Sequence, residues 1–99
     1  MEYGKDELLQ CICECLAESL PDNWDSASMQ ATVEGNEIDA VFRYHEPGSY
    51  EALRFMPENS IAPMNAAAAL QSLMREQGSA WDTITVTIFP DGRFEYRTE

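Results

Sequence analysis

Positive charge is scarce in this 99-residue chain: one lysine and five arginines stand against 18 aspartates and glutamates, a formal net charge of −12. A field of that sign repels phosphate backbones and anionic lipid headgroups, which excludes nucleic acid and membrane surfaces as direct partners. Histidine occurs once, as His45, so chemistry that needs two imidazoles is excluded. The glycine-rich patterns that cradle phosphates are absent, and so is the G-x-S-x-G turn that presents a nucleophilic serine. No apolar run approaches the roughly 18 residues that a membrane-spanning helix needs. The opening Met1-Glu2-Tyr3-Gly4-Lys5-Asp6-Glu7 is acidic where a secretory leader is basic. A cytoplasmic protein is the expectation.

Cysteine is present only as Cys11, Cys13 and Cys15. On a helix, positions 11 and 15 are neighbours, whereas 13 points roughly 200° away from 11, so the three cannot converge on one ion. Zinc-type C-x-x-C spacing is missing, and the thiols read as free and reduced. No metal and no cofactor are expected. Eighteen carboxylates could always furnish an acid and a base, but no pattern selects a pair. The sequence therefore reads as a non-enzyme.

What is present is enough apolar residue, 44%, for one core and one domain spanning residues 1–99. From Lys5 to Leu20, the residues Leu8, Leu9, Ile12, Leu16 and Leu20 recur at three- and four-residue steps, an amphipathic helix that Pro21 ends. Residues 28–34 alternate, with Met29, Ala31 and Val33 on one face. Residues 37–45 do the same with Ile38, Ala40, Phe42 and Tyr44. Gly35-Asn36 between them suits a two-residue type II′ loop, and closing it at Glu34 and Glu37 pairs Val33 with Ile38, Ala31 with Ala40 and Met29 with Phe42.

After the turn Glu46-Pro47-Gly48-Ser49, residues 50–55 are expected as a short third strand with Leu53 and Phe55 on one face. Asn59 or Ser60 can cap a second helix that carries Pro63 in its opening turn and Gly78 just past its end. Its wheel groups Ala66, Ala67, Leu70, Leu73 and Met74 on one side and Asn65, Gln71, Ser72 and Arg75 on the other. A last hairpin alternates Ile84, Val86 and Ile88 with threonines. A three-residue Pro90-Asp91-Gly92 loop would pair Ile88 with Phe94 and Val86 with Tyr96. The expected fold is α+β: a mostly antiparallel sheet of four or five strands with two helices, in the order α-β-β-(β)-α-β-β.

The acids are concentrated in residues 1–60, which carry 13 acids against three bases. With the aromatics among them they suggest a surface for a basic protein, in which rings anchor and carboxylates steer. The candidate partner-binding residues are Asp22, Trp24, Asp25, Glu34, Glu37, Asp39 and Glu46. Helices on one face only would leave Glu34, Glu37, Asp39 and His45 on the other, as one exposed acidic sheet face.

The order of segments, with Pro21-Asp22-Asn23-Trp24, Phe42-Arg43-Tyr44, Pro47-Gly48-Ser49, Trp81 and Asp91-Gly92-Arg93-Phe94-Glu95-Tyr96, resembles the YezG-like immunity proteins, antitoxins of bacterial polymorphic toxin systems. The likeness runs along nearly the whole chain, although the stretch between Ser49 and the second helix is shorter here and that helix is richer in alanine. The resemblance implies an inhibitor that binds and neutralises a cognate, basic, nuclease-type toxin domain in the cytoplasm, as a monomer or homodimer. The competing reading is a non-enzymatic oligomeric interaction domain that uses its exposed sheet face or an edge.

Overall fold

The structure is a computed structural model and describes residues 4–21 and 23–99, so the candidate Asp22 lies outside the described residues. Its elements are α1 (Lys5–Glu18), β1 (Ser26–Glu34), β2 (Glu37–His45), β3 (Leu53–Arg54), α2 (Ile61–Glu76), β4 (Thr83–Ile88) and β5 (Phe94–Thr98). One five-stranded sheet runs β3-β2-β1-β4-β5, and each neighbouring pair is antiparallel. The fold is α+β, as the alternation and the helical periods indicate.

Both hairpin registers follow from local chemistry. Val33 faces Ile38, Ala31 faces Ala40 and Met29 faces Phe42, closed by Gly35 at φ 59° with no positive φ at Asn36. That is the conformation a first-position glycine gives a type II′ loop. Ile88 faces Phe94 and Val86 faces Tyr96, closed over three residues with the Phe89 N–H on the Arg93 carbonyl (3.0 Å) and Gly92 at φ 92°.

Three boundaries differ from the sequence reading. The first helix stops at Glu18, where Ser19 takes the cap position, rather than at Leu20. The first strand starts two residues early, at Ser26. The third strand shrinks to Leu53–Arg54, with Phe55 adding one bond from its N–H to the Phe42 carbonyl (3.1 Å). Extending it would put Pro57 opposite Ala40, where a donor is needed and proline has none.

The core lies between one sheet face and the two helices. Leu9, Ile12 and Leu16 of α1, Ala67 and Leu70 of α2, and Met29, Ala31, Ile84 and Val86 of the central strands are almost wholly buried. Each large aliphatic side chain so buried is worth about 1.5–3 kcal/mol. At the start of α2 the Asn59 Oδ1 accepts the Ala62 N–H (3.1 Å), so Asn59 rather than Ser60 supplies the side-chain cap.

Gln71 corrects the helical wheel. It is buried, not solvated, and its amide donates to the Val33 and Trp81 carbonyls, both at 2.9 Å. One side chain thereby joins α2 to the end of β1 and to the entry of β4. Trp81 is buried beside it and donates its indole N–H to the Met74 sulfur (3.3 Å).

Candidate functional site

Every aspartate and glutamate among the described residues is exposed. Among them only Asp91 and Glu99 have a cationic side chain within ion-pair reach, Arg93 at 2.6 Å and Arg97 at 3.9 Å. The other described carboxylates face solvent with no cation in ion-pair reach among the described residues. Among the described residues, no group of three or more histidines, cysteines or carboxylates converges to hold a metal ion.

The partner-binding candidates fall in three places. Glu34, Glu37 and Asp39 sit at the tip of the β1–β2 hairpin, with Glu34 directly opposite Glu37. Asp25 and Glu46 flank the other end of the same hairpin, where Ser26 faces His45 and the Asp25 N–H bonds the His45 carbonyl (2.7 Å). Eight residues of strand separate the two ends, about 26 Å at 3.3 Å per residue. Trp24 is in neither group. It is half-buried against the core, on the side facing α1 and the last hairpin.

The open sheet face is not uniformly acidic. One row across all five strands reads Arg54, Arg43, Ser28, Thr87, Glu95, and the next reads Val41, Gln30, Thr85, Arg97. Asp39 begins a third row with Thr32 and Thr83, whose hydroxyls lie 3.1 Å apart. Glu34, Glu37 and Asp39 hold the hairpin tip, while Arg43 and Arg54 share a row with Glu95 farther from it and Arg97 lies in the row between. The expected single acidic face is therefore corrected to a face with charge of both signs, because β3 and β5 bring arginines that the first hairpin alone does not reveal.

Two concave regions lie near the candidates. Asp25 and His45 border a shallow depression of about 370 Å³ beneath the Pro47–Gly48–Ser49 turn, where Tyr50 is fully exposed. Tyr44 instead turns into the fold and meets Phe55 edge-on, ring centroids 5.8 Å apart. The larger region, about 650 Å³, is a groove between α1 and the β4–β5 hairpin. Its α1 wall is the stripe Asp6, Gln10, Cys13 with Glu14, and Ala17, at three- and four-residue steps along one side of the helix. Trp24, Phe89 and Phe94 supply the apolar opposite side. Sequence reading selected Trp24 but missed the groove, whose one legible signal was an apolar Phe94 in a terminal strand.

The cysteines are placed as free thiols, all half-buried. Burial pushes the Cys13 thiol from its ordinary 9.0 up to about 11, with a smaller push from the Glu14 carboxylate. Cys15 is also raised to about 11, by burial first and then by Cys11 and the neighbouring acids Glu18 and Glu14. Thiols held protonated in this way are poor nucleophiles and poor metal ligands. Compared with known proteins, the chain matches no family model and no curated sequence.

Proposed function

We propose that this chain is a non-enzymatic immunity protein that binds and neutralises a cognate bacterial toxin domain, a basic nuclease, in the cytoplasm. The observation that carries the reading is the display of carboxylates, most of them with no cation in ion-pair reach among the described residues, over α1, the hairpin tip and the turns. Nuclease domains are basic where they grip phosphates, so such a surface competes for the same ground and accelerates encounter through long-range attraction. The order of landmarks shared with YezG-like immunity proteins points the same way, and the α+β fold is compatible with it.

The steering role is tested by reversing two tip charges, Glu37→Lys with Asp39→Lys, and measuring association with the toxin domain at low and high salt. Association slows at low salt, and the difference fades as salt screens the charges. Unchanged rates at both salts would remove the hairpin tip from the encounter surface.

One observation favours the oligomeric reading. β3 covers only the end of β2, so the register leaves the outward N–H and C=O groups of Ile38 and Ala40 on an open edge. Sedimentation distinguishes the two: a stable dimer at micromolar concentration supports edge pairing, and a monomer supports a surface kept free for a toxin.

A further inference from the structure

The sheet is wider than its helical cover. Five strands spaced about 4.8 Å apart span more than two helices packed 8–10 Å apart can shield. α1 packs on β4 and β1 while α2 packs on β1 and β2, and the shortfall falls at β5. Phe94 shows the result: it lies on the helix-covered face opposite Ile88, yet it is 44% exposed, against 3% for Phe42 at an inner position of β2. An aromatic ring left open beside half-buried Trp24 and Phe89, in a groove of about 650 Å³, is the kind of feature that anchors a binding partner.

The rim of the groove selects the partner's chemistry. Asp6 and Glu14 border it from α1, both exposed and with no cation in ion-pair reach among the described residues, and Gln10 donates to the Glu14 carboxylate at 2.9 Å. The one cation on the opposite wall, Arg93, is already engaged. Its Nε lies 2.6 Å from the Asp91 carboxylate and its guanidinium stacks 5.2 Å from the Phe89 ring. Among the lining residues Arg93 is thus internally neutralised, and Lys5, beside Asp6 on α1, lies 4.9 Å from the Tyr96 ring, which leaves Asp6 and Glu14 as the rim charges with no cation in ion-pair reach among the described residues.

We infer that this groove takes one bulky apolar side chain of a basic partner, from a segment in which lysines or arginines flank that side chain. The inference rests on the proposed immunity function and names the anchoring point of that complex, with the carboxylates elsewhere guiding the approach. The apolar side chain covers Phe94 and Trp24 while the flanking cations meet Asp6 and Glu14, the division between buried anchor and charged rim found at tight interfaces.

The test has two arms. In the first, the isotopically labelled protein is titrated with a short peptide that carries a central tryptophan between pairs of lysines, and with a control peptide that has glutamates in their place. Amide shifts are expected at Gln10, Glu14, Trp24, Phe89 and Phe94 with the lysine peptide and not with the control. Equal response to both peptides, no response, or shifts centred on Glu34 and Glu37 would overturn the inference. In the second arm, Phe94→Ser and the pair Asp6→Lys with Glu14→Lys are compared with the parent for affinity to the toxin domain, after circular dichroism has shown that each variant folds.

Each variant is expected to weaken binding by more than about tenfold, the loss that one interface anchor carries. Full toxin affinity in all variants would refute the groove and leave the immunity reading standing. A parent that binds the lysine peptide in the groove but no toxin would keep the groove and remove that reading.

Discussion

The two long hairpins use the same alternation and are closed by equally decisive turns, yet the inward apolar residues of the first are all at least half-buried while the second leaves Phe94 exposed. In β1–β2 the inward residues Met29, Ala31, Val33 and Phe42 are buried under the helices, and Ile38, Ala40 and Tyr44 of β2 are half-buried against the core. In β4–β5, Ile84, Val86 and Ile88 are buried, while their cross-strand partners Tyr96 and Phe94 are half-buried and exposed. The difference does not arise in the strands. It arises because two helices cover the middle of a five-stranded sheet, and it teaches that an apolar residue in register is core only where something lies over it.

Substitutions separate the sealed region from the open one by their cost. Leu70→Ala, beneath α2 at the sealed side, is expected to cost about 2–5 kcal/mol and to lower the melting temperature by roughly 10 °C or more, read by thermal denaturation. Gln71→Leu keeps the volume but leaves the Val33 and Trp81 carbonyls without their donor, an expected loss of about 1–3 kcal/mol in urea unfolding. If Gln71→Leu proved neutral, the tie between α2 and the two strand ends would be dispensable.

At the open side the costs fall. Gly92→Ala is expected to cost about 1 kcal/mol, because φ 92° disfavours any side chain although no atom lies within 4 Å of the added carbon. Phe94→Ser is expected to cost less than about 1 kcal/mol, since the ring is only partly covered. A loss as large as that of Leu70→Ala would erase the contrast between the hairpins.

The smallest effect concerns two thiols of α1, Cys13 in the groove and Cys15 beside Cys11. Cys13 and Cys15 lose protons near an ordinary 9.0 when unfolded and near 11 when folded, so the folded state holds its protons longer. Their contribution to stability is complete below pH 9 and declines as pH rises from 9 toward 11. Alkylation at neutral pH should accordingly be slower in the folded protein than in urea, measured by mass spectrometry of the modified peptide. Equal rates would contradict the burial of Cys13.

The registers were legible in the sequence because alternation and turn glycines are local: Gly35 and Gly92 each fix a pairing that the strands must obey. Strand order was not, since the contact of β1 with β4, including the Val33 N–H on the Asp82 carbonyl at 2.8 Å, joins residues far apart in the chain. Gln71 shows a different failure. Its wheel position lies about 40° beyond Ala67, at the margin of the buried stripe, and the wheel grouped it with Asn65, Ser72 and Arg75, although a polar side chain is buried readily where two carbonyls await a donor. The candidate acids were legible as exposed groups. Their dispersal to two ends of a hairpin was not, and neither were the arginines that β3 and β5 carry to the same face.

The most direct test is to co-express this chain with the product of the adjacent open reading frame, purify through a tag on this chain, and assay nuclease activity of the partner alone and in the mixture. The proposed function predicts a stoichiometric complex in which cleavage is suppressed. A neighbour that neither co-purifies nor cleaves, or one that cleaves at full rate in the presence of this chain, would contradict it.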